Sequence, residues 1–151
     1  ITTIRFGLFS KFNYPINFFP SNLKKIIFGD HFNHPLDSLP VGLTYLETGK
    51  NFLQSVDYLP STLECLKLGK NFNQPINMLP QSLITLELGD SFNQSLDSLP
   101  SSLRNISLGF AFNKYTSCLP DSIKTIKIKS EEKKKLFPEE YQKIIKIGYF
   151  V

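Results

Sequence analysis

Proline stands at Pro20, Pro40, Pro60, Pro80, Pro100 and Pro120, and phenylalanine at Phe12, Phe32, Phe52, Phe72, Phe92 and Phe112. This step of twenty residues, held without slippage through six copies, constrains the fold more than any local propensity. One compact core has no reason to space its residues in this way, whereas a stack of equivalent coils does. Glycine keeps the same step at Gly29, Gly49, Gly69, Gly89 and Gly109. Leucine keeps it at Leu39, Leu59, Leu79, Leu99 and Leu119, with Phe19 in the first copy.

Each copy reads as a strand, a turn and an extended return. In "LITLELG", Leu83 to Gly89, Leu86 and Leu88 alternate as one buried face of a short strand requires, and Leu83 precedes them. The same slots hold Leu23, Ile26 and Phe28; Leu43, Leu46 and Thr48; Leu63, Leu66 and Leu68; Leu103, Ile106 and Leu108; and Ile123, Ile126 and Ile128. The pattern predicts six parallel strands, and a seventh over Ile4 to Leu8. The glycine ending each strand marks a backbone that needs positive φ or has no space for a Cβ. Phe9 stands where the first copy would place that glycine.

Asn follows Phe at Asn13, Asn33, Asn73, Asn93 and Asn113. An amide side chain both donates and accepts, so a stacked column of Asn in a buried turn is expected to bridge one coil to the next. The return path, as in "QPINMLP" from Gln74 to Pro80, carries two prolines, which favour an extended segment over a helix on the convex side. The third and sixth copies are the weak ones. Leu53 replaces Asn, Ser55 and Tyr115 replace the first Pro, as Ser95 does in the fifth copy, and Thr116 replaces the inward aliphatic. Leu53 is therefore expected to break the Asn column and loosen the third coil. After Ile128 the period fails. Pro138 with Glu139 and Glu140 marks a helix start, and "IIKIGYF" follows. Residues 1–128 thus read as the solenoid and 129–151 as a short helix with an extended segment covering its last coil.

At 151 residues, 41% hydrophobic and 20% charged, the chain has the balance of an ordinary folded domain. Residues 1–123 carry nine Lys/Arg and nine Asp/Glu, while 124–151 carry eight Lys and four Glu, so the formal charge of +4 resides in the tail. A nucleic-acid partner would call for a basic stripe along the folded face, and the repeats offer none. No apolar run approaches the ~20 residues of a membrane span. The opening "ITTIRFG" has neither a starting Met nor the pattern of a signal peptide, which predicts a piece of a longer protein. Cys65 and Cys118 occupy different slots of the repeat and read as free thiols of an intracellular protein. Asn93-Gln94-Ser95 and Asn105-Ile106-Ser107 match the glycosylation pattern, but Asn93 belongs to the structural column, so both are read as chance.

"FNHPLDSLP" and "FNQPINMLP" resemble the FNIP repeat, a short branch of the leucine-rich repeats, over roughly residues 3 to 128. The copies "LPSSLRNISL" and "LPQSLITLEL" are also similar to the short leucine-rich repeats of bacterial effectors. The resemblance implies a right-handed solenoid with its parallel sheet on the concave face. It further implies a place beside other modules such as an F-box, and so substrate recognition for a ubiquitin ligase. No F-box is visible in these residues.

Asp30, His31 and His34 form the one cluster containing both histidines. Their slots hold Lys50, Asn51 and Gln54 in the next copy, so they read as variable turn residues rather than metal ligands or a hydrolytic site. Glycines recurring every twenty residues are no nucleotide fingerprint. No catalytic residue, metal or cofactor is expected. The strand residues that alternate with the inward leucines form two variable columns. One holds Lys25, Tyr45, Cys65, Thr85, Asn105 and Thr125, and the other Ile27, Glu47, Lys67, Glu87, Ser107 and Lys127. In a repeat array the fixed positions build the stack and the variable ones are free to recognise a partner. Glu47, Lys67 and Glu87 also alternate in sign, as cross-strand pairs would. The expected function is a non-catalytic, monomeric protein-binding module of a larger adaptor. The alternative is a structural spacer or assembly scaffold with no dedicated ligand.

Overall fold

A computed structural model describes residues 1–148. Eight parallel strands, β1 (Thr3–Arg5), β2 (Lys25–Ile27), β3 (Tyr45–Glu47), β4 (Cys65–Leu68), β5 (Thr85–Leu88), β6 (Asn105–Leu108), β7 (Thr125–Ile128) and β8 (Ile145–Ile147), form one sheet in sequence order. The connections between β1 and β7 contain no helix. The fold is the expected solenoid of twenty-residue coils: from β2 to β7 each strand pairs with its equivalent twenty positions on, as Lys25 with Tyr45 and Cys65 with Thr85.

Two tight turns per coil explain the proline and glycine columns. The carbonyl of each Pro from Pro20 to Pro120 accepts the N–H of the apolar residue three positions on, Leu23 through Ile123. The carbonyl of each Gly from Gly29 to Gly89 accepts the N–H of the following Phe, 3.2–3.3 Å away. No described glycine has positive φ, so the glycine column answers to space rather than conformation. A Cβ on Gly49, Gly69, Gly89 or Gly109 would overlap the carbonyl of the glycine one coil earlier.

Inside the coil the phenylalanines form a continuous column. The rings of Phe12, Phe32, Phe52, Phe72, Phe92 and Phe112 follow one another at 6.1–6.5 Å, nearly parallel. The inward leucines and isoleucines pack beside them and are buried from Leu23 to Ile126. The weak copies are repaired locally. Thr48 in a leucine slot is buried, and its Oγ1 accepts the N–H of Gly69 at 3.0 Å. Thr116 is buried too, with its N–H donated to the Leu136 carbonyl of the tail.

Both ends depart from the expected period. β1 covers Thr3–Arg5 rather than Ile4 to Leu8, and Ile4 pairs with Ile26, a step of 22. Gly7, not Phe9, is the counterpart of Gly29, since a Cβ on Gly29 would strike the Gly7 carbonyl. Two residues are therefore inserted between Gly7 and Phe12, and Leu8 and Phe9 stand exposed on the resulting loop. At the other end Lys129 occupies the glycine slot, and there the chain leaves the coil. Two short 3-10 helices, Glu131–Leu136 and Glu139–Ile144, lead into β8. The second starts at the expected Pro138, whereas the first is a difference from the sequence reading. Phe137 between them is buried and carries the ring column on, 6.4 Å from Phe112. The Tyr141 hydroxyl receives the Leu119 N–H. The tail thus both covers the last coil and adds a strand to its sheet. The final Tyr149, Phe150 and Val151 of the expected covering segment lie outside the described residues.

Candidate functional site

The outer face of the sheet presents the two columns side by side, because successive side chains of a strand point to opposite faces. Tyr45, Cys65, Thr85, Asn105 and Thr125 are half-buried and in register across neighbouring strands. Lys25 lies over the Tyr45 ring, 3.9 Å from its centroid. In the second column Ile27 is a correction: it is only 7% exposed, flanked across the ladder by Arg5 and Glu47, and offers little to a partner. Ser107 is likewise 6% exposed.

The alternating charges form one cross-strand pair, not two. Lys67 Nζ lies 2.9 Å from Glu87 Oε1, while Glu47 accepts the Tyr45 hydroxyl at 2.6 Å. Burial works against the Lys67 ammonium, but the Glu87 hydrogen bond and the charges of Glu87 and Glu47 outweigh it, so the group titrates above its usual range. Burial, with the Glu47 hydrogen bond and charge, pushes the Tyr45 hydroxyl well up. Burial also raises Cys65 despite the nearby Lys67, which leaves its thiol a poor nucleophile. Cys65 and Cys118 are both free.

The turn residues are occupied in holding coil to coil. His34 Nε2 contacts the Asn13 carbonyl at 3.1 Å, as Gln54 and Gln94 in the same slot donate to the carbonyls of Asn33 and Asn73. His31 Nδ1 contacts the Ser10 carbonyl. The histidines therefore do the work of amides and do not converge with Asp30, whose Oδ1 accepts the Lys50 N–H. Among the described residues no group of three His, Cys, Asp or Glu is placed to hold a metal ion.

The Asn side chains bridge coils in one direction, each Oδ1 accepting a backbone N–H of the next coil: Asn13 from Asn33, Asn33 from Leu53, Asn73 from Asn93 and Asn93 from Asn113, at 2.8–3.1 Å. They sit at a rim that is half or fully exposed, not in a buried turn. Because the acceptor is the side chain and the donor is backbone, Leu53 still receives its bond from Asn33. Only the Asn73 N–H, one coil on, loses a partner. Gln74 over Leu53 makes neither of the bonds of Gln54 and Gln94. The amide of Asn73 is expected to exchange with solvent faster than those of Asn93 and Asn113 in a hydrogen-exchange series, and Asn93→Ala to cost about 1 kcal/mol. Equal exchange at all three amides would show that the column contributes nothing to local protection.

A second ladder escaped the sequence reading. Thr62, Ser82, Ser102 and Ser122 donate their hydroxyls to the carbonyls of Leu43, Leu63, Leu83 and Leu103 at 2.6–2.8 Å. No column of the sequence analysis includes these hydroxyl residues, yet they recur every twenty positions from Thr62 to Ser122, and that recurrence was the available signal.

The family described as FNIP Repeat matches five overlapping stretches, residues 12–51, 32–71, 55–91, 72–111 and 92–131. Among solved structures, the crystal structure of CroV588, a novel circular LRR protein structure, aligns with a TM-score of 0.68 at 35% identity. The alignment covers 85% of this chain and 24% of that one, so the chain spans about a quarter of its length. No curated protein matches.

Proposed function

Because the chain belongs to the FNIP repeat family, we propose that it is a non-catalytic binding module that receives a protein partner on the outer face of its sheet. One observation carries the reading. The inward slots stay apolar except at Thr48 and Thr116, while the half-exposed residues from Tyr45 to Thr125 change chemistry at every strand and do no work in the core. A surface that varies on an invariant frame is the arrangement by which solenoids recognise partners. No helix of the described residues is long and apolar enough to cross a membrane, and the two free thiols fit a reducing compartment. The ubiquitin-ligase role implied by the resemblance finds no support in the family match or the structural neighbour and forms no part of the proposal.

Filling the face tests it. Tyr45 shows that the first column accommodates tyrosine, so Thr85→Tyr, Asn105→Tyr and Thr125→Tyr together are expected to abolish capture of a partner from cells with little change in melting. The same residue at Ser61, Gln81 and Ser101, exposed turn positions away from the strands, is expected to leave capture intact. The opposite result would move binding to the turns. Loss with neither set would favour the spacer reading, which the internal Lys67–Glu87 and Tyr45–Glu47 contacts support.

A further inference from the structure

Charge on the outer face is uneven along the array. In the middle strands the charged groups have partners within the face: Lys67 pairs with Glu87, and Glu47 accepts the Tyr45 hydroxyl. Beyond Glu87 the second column continues as Ser107, Lys127 and then Lys146, which the tail brings into register beside Lys127 through β8. Both lysines are exposed, and among the described residues no carboxylate lies within ion-pair distance of either. Two like charges on adjacent strands stand about 5 Å apart at the backbone, an arrangement that costs rather than contributes stability.

Lys127 and Lys146 border a shallow cavity of about 350 Å³ that is also lined by Thr85, Asn105, Ser107 and Thr125. Glu87 closes its far side. Its charge is met by Lys67, on the strand away from Lys127, and two strand spacings, about 10 Å, separate it from Lys127. The cavity thus offers two cations at one end and neutral donors and acceptors along its floor.

We propose that this end of the face is an anion-recognising subsite, which receives a carboxylate or phosphoryl group of an extended peptide between Lys127 and Lys146 while Asn105 and Thr125 hydrogen-bond the flanking peptide. The inference rests on the binding reading above and adds the chemistry of the partner. A peptide fits better than a nucleic acid, which would call for a longer basic track with aromatic stacking platforms, whereas the cavity lining contains two lysines and no aromatic ring. Sequence alone could not place Lys146 here, because it lies outside the twenty-residue register.

The test titrates the full chain with three short fluorescein-labelled peptides: one rich in Glu and Ser, one in which a phosphoserine replaces the Glu residues, and one with Gln for every Glu. Saturable binding of either anionic peptide, with the Gln peptide weaker by about tenfold or more, is expected, and added salt should weaken it further. Whichever anionic peptide binds more tightly assigns the group as carboxylate or phosphoryl. Lys127→Gln with Lys146→Gln should remove the preference, with melting unchanged. Lys114→Gln with Lys124→Gln, exposed lysines off the face that give the same change in net charge, should leave it intact. Equal loss in both double variants, no binding of either anionic peptide, or tighter binding of a single-stranded oligonucleotide overturns the proposal. Capture of a cellular partner separates the two readings. If the tyrosine triple variant loses it and the Lys127/Lys146 variant keeps it, the subsite is wrong and the binding face stands. If both keep it, both are wrong.

Discussion

Gly69→Ala should be among the most damaging single substitutions in the chain, costing about 3 kcal/mol although it adds one methyl group. The added Cβ would overlap the carbonyl oxygen of Gly49 and crowd the Lys50 nitrogen. Both are backbone atoms of the preceding coil, fixed by turn and inter-coil hydrogen bonds from Phe52, Lys50 and Asn71, so the clash is relieved only by separating the coils. Gly7→Ala is the matched control. Nothing lies within 4 Å of its Cβ position and its φ is not positive, so its effect should stay within about 0.5 kcal/mol. Urea unfolding of the two variants gives the comparison. Hydrogen exchange should show protection lost on both sides of the boundary between Gly49 and Gly69, since in a solenoid each coil is stabilised by its neighbours. Equal stability of Gly69→Ala and Gly7→Ala would mean that the column is not a packing requirement.

Phe72→Ala is expected to cost about 3–5 kcal/mol. The ring is fully buried and lies 6.3 Å from those of both Phe52 and Phe92. Truncation leaves a cavity that the coil cannot close, because its backbone is held at the turn by the Gly69 carbonyl and its sheet by β4 and β5. Phe72→Leu restores most of the volume but not the stacking, worth about 0.5–1.5 kcal/mol beyond area, and should recover more than half of the loss. Thermal and urea unfolding should rank wild type, Leu and Ala in that order. A Leu variant as unstable as the Ala variant would mean that ring stacking, not filled volume, holds the column.

Most of the interior coils was legible in the sequence because each slot has one physical task repeated under the same constraints. Leu86 and Leu88 predict their own burial by alternation, and Leu83 and Phe92 by their recurrence. The same logic misled at the first coil. Counting back by twenty places Phe9 in the glycine slot, yet the pair Phe6-Gly7 matches Phe28-Gly29 in chemistry, 22 residues apart, and their rings stack at 5.5 Å. The outer face was legible as a set of positions, but not in its chemistry. Ile27 was read as available and is buried, and the alternation of Glu47, Lys67 and Glu87 yields a single ion pair, Lys67 with Glu87, while Glu47 accepts the Tyr45 hydroxyl.

The sequence by itself determined the coil: its length, its strand, its inward residues and the return that prolines hold extended, because those follow from local geometry repeated in register. Only the tertiary structure decided how coils are joined and ended. A hydrogen bond between Asn33 and Leu53 needs no Asn at position 53, since the donor is backbone, and so a column of letters does not reveal its direction. Nor does any period place Phe137 on the ring column, or Lys146 beside Lys127. Those contacts join segments with unrelated sequence, and they exist because the last coil's apolar side and strand edge had to be covered by the chain that follows.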